Sequence, residues 1–357
     1  MKIKIPILIC LAVFLISPAR GQNDNTGFQN QEPNTSYTSF RLFEDEDLIE
    51  ITLRFDLSTY FRTKPKKEYL KANITIHLSE TDSINKDIRL RSRGIFRNQF
   101  CKYPPIELNF KKVDFGYSDL DSISKLKMVT ECSSGSENRG YLLREYLIYK
   151  MFNVLTDTSF RVRLLTVNYI DTENKRKPLK QYGFFIEPLE MLIARTNTVE
   201  VKSPALTQKH IIPNLMDRLA IFCYMIGNYD WSIPGQHNVK VIKPMVIDPI
   251  GLGIAVPYDF DWTGLVNASY AIPHEDVGTA SVRERIYTGI CRSKEVFQKD
   301  LEIFAEKKDE FYLLVNEFPY LNTKEKRDVT RYLDEFFDRL TGKSMLTNIF
   351  VNSCKNF

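Results

Sequence analysis

Gly227-Asn228-Tyr229-Asp230, Asn238 eight residues later, and Pro257-Tyr258-Asp259-Phe260-Asp261 decide how this chain is read. The first stretch closes a mostly apolar segment. The last follows a strand-like apolar run and a turn through Gly251-Leu252-Gly253. An aspartate placed to orient a hydroxyl, then an asparagine and an aspartate placed to hold a divalent cation, is the layout that phosphoryl transfer needs. Asp259 and Asp261 sit among Tyr258, Phe260 and Trp262. A buried carboxylate without a partner costs several kcal/mol, so each is expected to meet a metal or an arginine, Arg283 or Arg285. A neutral amide oxygen together with carboxylates suits magnesium better than zinc. Asp230 also has an ordinary reading, as the cap of a turn or helix. His237 lies close enough in sequence to shuttle a proton, but no third member of a triad is near it.

Upstream, the chain alternates between apolar and polar residues with the period of strands at 48–55, 72–78, 88–93, 106–110 and 125–129. The basic segment 61–69, with Pro65, reads as a surface connection between the first two. The period changes at 141–154, where Leu142, Tyr146, Tyr149 and Phe152 form a helical stripe. Strands return at 160–169 and 182–186, joined by a polar turn as a hairpin. Residues 213–226 predict a buried helix, 239–242 and 245–247 a small hairpin, and 296–315 and 324–340 two amphipathic helices. This order predicts an α+β chain, with a β-rich N-terminal lobe over 45–187 and a mainly helical C-terminal lobe over 188–357. A cleft between them is the natural place for a ligand.

The first 21 residues read as a secretory signal: Lys2 and Lys4, an apolar run over 5–16, then small residues to Gly21. The run is too short to span a bilayer. Residues 22–44, rich in Gln, Asn, Ser and Thr, read as a flexible leader. The expected location is therefore outside the cytoplasm: periplasmic, cell-surface or secreted. No later run has the length of a membrane helix. The formal charge of +4 falls to +1 once Lys2, Lys4 and Arg20 are removed, which gives no reason to expect nucleic acid. Cys101, Cys132, Cys223, Cys291 and Cys354 remain, an odd number at wide spacing, and their pairing cannot be read from sequence. Cys223 lies on an apolar helix and is expected to be buried. With no CxxC pair and four scattered histidines, a structural zinc site is not expected.

The Gly227–Asp230, Asn238 and Pro257–Asp261 motifs, with Arg91-Ser92-Arg93-Gly94-Ile95-Phe96-Arg97 upstream, resemble the spore-coat CotH kinase family, in an exported bacterial subgroup. The resemblance covers roughly residues 45–290. It implies a two-lobed protein-kinase-like fold and transfer of phosphate from ATP to a hydroxyl. Carried over, Asp230 is the catalytic aspartate, and Asn238 and Asp259 ligate Mg2+. Asp261 binds a second metal or steadies the loop. Lys127 contacts the α- and β-phosphates, held by an ion pair from Glu145. Arg93 and Gly94 form the small-lobe turn, and Glu187 lies at the lobe junction where adenine docks. Three features depart from ordinary kinases. The gap from Asp230 to Asn238 is eight residues rather than five. Asp259 precedes Phe260-Asp261, not Phe-Gly. Gly94 is not part of a full GxGxxG loop, so Arg91, Arg93 and Arg97 would have to supply phosphate contacts.

Ordinary readings stand beside these. Lys127 alternates with Leu126 and Met128 and could simply face solvent, and Glu145 could be a surface helix residue. Ser281 with Glu284 reads as a helix cap as well as a substrate-facing segment. The expectation is a Mg-dependent phosphotransferase that uses ATP and acts on a protein or small-molecule hydroxyl. The alternative is a non-catalytic exported binding or surface-assembly protein. A hydrolase is disfavoured, because Asp259 and Asp261, two apart, diverge if they lie on a strand.

Overall fold

Ile49, Ile51, Leu53 and Phe55 alternate along β1 (Ile49–Phe55), and all are buried. The same inward rhythm runs through β2 (Leu70–His77), β3 (Ser83–Ser92), β4 (Ile106–Asn109), β5 (Lys125–Thr130), β6 (Val162–Asp171) and β7 (Leu179–Ile186). The protein is described here by a computed structural model covering residues 40–245, 251–273, 278–341 and 345–355. The expected signal segment, most of the expected leader and the end of the hairpin strand at 245–247 lie outside the described residues. Leu42 and Phe43, at the end of that leader, are buried against the strands.

The strands form a closed barrel in the order β1-β2-β3-β4-β5-β7-β6. Neighbours are antiparallel except β1 and β6, which run parallel with Ile49 opposite Leu165. This overturns the expectation of a two-lobed protein-kinase-like fold. Alternation reveals which face of a strand turns inward, but it does not reveal its neighbours. The closing pair joins strands from opposite ends of the region, and nothing local marks it.

The barrel serves two cores. Leu126, Met128, Leu165, Val167 and Phe185 fill its interior. Val129, Leu164, Phe184 and Ile186, at alternate positions, face outward into a second core. Against that outer face lies α4 (Ser136–Leu155), which also meets α8 (Lys308–Asn316). Covered on both sides, α4 is buried nearly all round, with Glu145 enclosed.

Short helices α1 (Leu57–Thr63), α2 (Phe96–Phe100) and α3 (Ser118–Asp121) interrupt the barrel strands. The first occupies part of the segment expected to be an irregular connection. After the barrel come α5 (Leu189–Thr196) and a three-stranded antiparallel sheet of β8 (Thr198–Glu200), β9 (Val239–Pro244) and β10 (Ile254–Pro257). Between β8 and β9 runs α6 (Pro213–Ile226), opened by Pro213 and closed by Gly227 in the left-handed region, φ +67°. A methyl group at 227 would run into Tyr332 Oη, so only glycine lets the chain turn there toward Asn228 and Asp230. The helix expected over 296–315 is two, α7 (Lys294–Glu306) and α8, separated at Lys307. The break lets Phe297, Leu301 and Phe304 on one piece and Phe311 and Val315 on the other each reach the core. Helices α9 (Thr323–Thr341) and α10 (Met345–Ser353) complete the chain.

Two disulfides, Cys101–Cys132 and Cys291–Cys354, are compatible with an exported protein. Cys223 is free and buried. Among the described residues no helix is long and apolar enough to cross a membrane. Cys291–Cys354 closes a loop with a sequence separation of 63 and ties the segment before α7 to the end of α10. Replacing both cysteines by serine is expected to lower unfolding free energy by about 2–4 kcal/mol in denaturant titrations. An unchanged midpoint would show that this bridge contributes nothing to the fold.

Candidate functional site

Pairing of β9 with β10 sets Val239 opposite Pro257. Asn238 therefore stands immediately before one strand and Tyr258-Asp259 immediately after the other. The backbone N–H of Tyr258 donates to Asn238 O at 3.0 Å. Asn238 and Asp259 both adopt left-handed backbone conformations, φ +50° and +65°. The N–H of Asp259 donates to the hydroxyl of Tyr149 on α4 at 2.9 Å. Asp230 joins the group from the end of α6. Its N–H donates to Asn228 Oδ1 at 2.9 Å. Asn238 Nδ2 donates to its backbone carbonyl at 2.9 Å and to its carboxylate at 3.0 Å. His237 Nε2 lies 2.8 Å from Asp230 Oδ1. Asp230, Asn238 and Asp259, far apart in sequence, are thus linked through one hairpin.

Across from Asp259 opens a cavity of about 270 Å³. Arg93, Lys127 and Lys240 line it with Glu107, Glu190 and Glu200, the last paired to Lys240 at 3.1 Å, and Tyr149, Phe160, Ile186, Leu189 and Tyr258 add apolar surface. Lys127 leaves β5 on the side away from the barrel interior, and its Nζ stands 5.8 Å from the Tyr258 ring centroid. The residue as a whole is exposed. Burial of its ammonium lowers the pKa, and the Arg93 and Lys240 cations lower it further, against Asp259 and Glu107. The Nε of Arg93 is buried without a hydrogen-bond partner. Of the three arginines considered for phosphate, Arg93 alone lines the cavity. Arg91 is held by Glu107 and by Lys66 O. Gly94, φ +84°, turns the chain from β3 toward α2 outside the lining.

Arg97 has a different position. Its guanidinium meets Glu145 at 3.2 Å, approaches Asp261 at 3.9 Å, and donates to Thr130 O at the end of β5. The expected ion pair between Lys127 and Glu145 is therefore replaced by Arg97 with Glu145. Arg97 comes from α2, which is fixed to the end of β5 by Cys101–Cys132, and it reaches Glu145 from that side. The partners considered for the aspartates are engaged elsewhere. Arg283 pairs with Asp328 at 3.1 Å and Arg285 with Glu335 at 2.9 Å.

Burial raises the carboxyls of both Glu145 and Asp261 well above the usual carboxylate range. Arg97 opposes this in each, and Asp259 raises both further. Burial alone would lower the pKa of Arg97. Tyr270, Glu145, Asp261 and Asp259 together raise it, so it stays charged. Tyr270 donates to Asp261 Oδ2 at 3.2 Å. Glu145 Oε1 is buried with no hydrogen-bond partner.

Glu187 lines the cavity, but its carboxylate is taken by Arg195 at 2.7 and 2.9 Å and by the Arg161 N–H at 3.0 Å. Among the described residues no group of three or more His, Cys, Asp or Glu side chains is disposed to hold a metal ion. Of that hairpin's polar residues Asp259 lines the cavity, together with the carboxylates of Glu107, Glu187, Glu190 and Glu200. Sequence reasoning missed Lys240 and Tyr149. Lys240 follows Asn238 by two on a strand, and that spacing was the available signal.

Because Glu145 keeps its proton in the folded protein above the pH where the unfolded chain loses it, near 4.5, the folded state binds more protons there. Stability then falls as pH rises from that value toward the folded one. Glu145→Gln removes this decline. The variant should gain on the parent between about pH 5 and 7.5, by at most about 1.4 kcal/mol per pH unit. A pH-independent difference in unfolding free energy would mean that Glu145 is ionised throughout.

No protein-family model matches the chain, and no curated protein does. The spore-coat kinase resemblance therefore rests on its motifs. Among solved structures, the crystal structure of a Helicobacter pylori proinflammatory kinase, CtkA, aligns over 78% of this chain and 90% of that one, at 9% identity and a TM-score of 0.35. A likeness this distant carries neither fold nor function across.

Proposed function

We propose that the cavity binds ATP with magnesium, and that the chain transfers the γ-phosphoryl group to a hydroxyl of a protein or small molecule. One observation carries this reading: the β9–β10 hairpin follows Asn238, which is bonded to Asp230, and ends at Asp259 on the wall of a cavity that Arg93, Lys127 and Lys240 also line. The apolar side formed by Phe160, Ile186, Leu189 and Tyr258 suits a purine, and the cations suit phosphates.

The donor set fits magnesium. Asn238 Nδ2 is committed to Asp230, which leaves its amide oxygen as the end available to a cation. With the Asp259 carboxylate this makes two protein oxygens, the number magnesium usually takes when substrate phosphates and water complete its shell. Asp261, engaged by Arg97 and Tyr270, steadies the loop. Bound magnesium would supply charge neutralisation at the phosphate oxygens.

The protein's own groups do the rest. Arg93, Lys127 and Lys240 offset phosphate charge, and the lowered pKa of Lys127 is restored once anionic phosphates replace water beside it. Asp230 orients the acceptor hydroxyl. As the acceptor oxygen bonds to phosphorus and the bond to the ADP oxygen breaks, Asp230 takes the hydroxyl proton, with His237 on its Oδ1. A second reading, a non-catalytic exported binding protein using the same cavity, is favoured by Arg97, which already satisfies Asp261 without a metal.

Thermal unfolding with magnesium, with ATP and with both should show a stability gain that needs both, about 2.7 kcal/mol at ligand a hundredfold above its dissociation constant. Asp259→Ala should abolish that gain, and unchanged affinity in this variant removes the assignment. Asp230→Asn should bind as before yet transfer phosphate at least about 100-fold more slowly. Binding with no transfer by the parent chain supports the second reading.

A further inference from the structure

Of eight large apolar side chains left exposed among the described residues, Ile95, Phe96 and Phe100 lie on α2 and its cap, and Ile272 follows Tyr270 by two. Ile95 is 80% exposed, Phe100 59% and Ile272 69%. Phe96 stacks on Phe100 with centroids 5.1 Å apart, and its other edge meets Trp262 at 5.3 Å. Tyr270 touches both phenylalanines, at 5.8 and 5.6 Å, and Ile272 follows two residues on. Phe96 and Phe100 are thus an exposed aromatic pair resting on Trp262 and on the buried ring of Tyr270. The pair is also fixed: α2 is anchored by Arg97 within the barrel-to-loop network and by Cys101 in its disulfide. A contiguous apolar patch held rigidly at the surface marks an interaction site.

Two further features say what would cover it. The patch is joined to the loop that carries Asp259, since Trp262 follows Asp261 directly and Tyr270 donates to Asp261. Its α2 edge is basic. Lys64 Nζ lies on the carbonyls of Gln99 and Cys101, on either side of Phe100, at 3.0 and 2.8 Å. Lys102 follows, and Lys66 and Lys67 stand exposed on the neighbouring segment. At the other edge Asp261 accepts from Tyr270, and Glu137 accepts from Tyr141 beside it.

We propose that this surface docks the acceptor of the transfer reaction, and that the acceptor is a polypeptide. It would place an aromatic or branched aliphatic side chain on Phe96 and Phe100 and acidic residues against the Lys64–Lys67 and Lys102 edge. This rests on the phosphotransferase reading for the position of the hydroxyl. A lipid surface would account for the apolar and basic groups, but not for their attachment to the loop that carries Asp261. A small-molecule acceptor would need no surface of this extent. An aromatic anchor with a complementary charged rim is the usual anatomy of a peptide site.

The probe is a fluorescent peptide holding one serine, a leucine and phenylalanine on one side of it, and a run of aspartates beyond them. Fluorescence anisotropy should show binding to the parent chain. Binding should weaken at least tenfold in Ile95→Ala/Phe100→Ala, in Lys66→Glu/Lys102→Glu, and when the aspartates are changed to lysine. Stabilisation by magnesium and ATP should stay unchanged in both variants, which shows that they remain folded. Equal peptide binding by parent and variants, or none by the parent, overturns the proposal. So does capture by phosphatidylglycerol vesicles that depends on the same side chains, with no peptide binding. If peptide binding follows the patch but ATP never stabilises the parent, the docking surface stands and the phosphotransferase reading fails.

Discussion

The guanidinium of Arg97 is the group on which the site is assembled. It is nearly buried, and it touches Thr130 at the end of β5, Glu145 in the middle of α4 and Asp261 in the loop beyond β10. A buried cation is tolerated only with good partners, and buried carboxylates only with a cation. The barrel, the long helix and the hairpin loop are thereby held at one distance from each other. Loss of the two carboxyls would leave the Arg97 cation in the interior with a single backbone carbonyl, so the three elements have little freedom to move apart.

Around that contact the architecture is economical. Alternate residues of β5, β6 and β7 fill the barrel and cover α4, so the wall of one core is also the wall of the other. Lys127 on β5 and Tyr149 on α4 come to face the cavity because their elements are fixed by packing, and Asp259 is drawn to Tyr149 through its backbone N–H. The left-handed conformations at Asn238 and Asp259 turn the two chain ends of the hairpin toward the same space. Neither is glycine, but asparagine and aspartate enter this region more readily than other side chains do.

Much of the element list was legible in the sequence. Ile49 to Phe55, Ile74 and Ile76, and the Leu142–Phe152 stripe each carry a period that only one kind of element satisfies. The pairing of β1 with β6 was not legible, because both strands show the same alternation whichever neighbour they take. Short helices such as α2 escaped because five residues carry no helical period, and the split at Lys307 escaped because neither proline nor glycine marks it. At the site, the polar residues after apolar elements pointed to Asp230, Asn238 and Asp259. The identity of the cation that meets Glu145 was out of reach, because Lys127 and Arg97 differ only in which direction their elements face. Glu187 shows the same limit: it was expected at a lobe junction, whereas it directly follows β7 and is captured by Arg195, a contact that only the fold brings about.

The parallel closure of the barrel has a consequence for how the chain is made. β1 ends at Phe55, but its second neighbour, β6, begins at Val162. At ordinary synthesis speeds β1 waits roughly 5–20 s for that partner to be translated. Throughout that interval the barrel is a curled sheet with two open edges, each able to pair with another chain. The last hydrogen bonds of the barrel close over the longest loop, which makes this step the slow one. The β1 edge is therefore the one left open longest as the chain emerges.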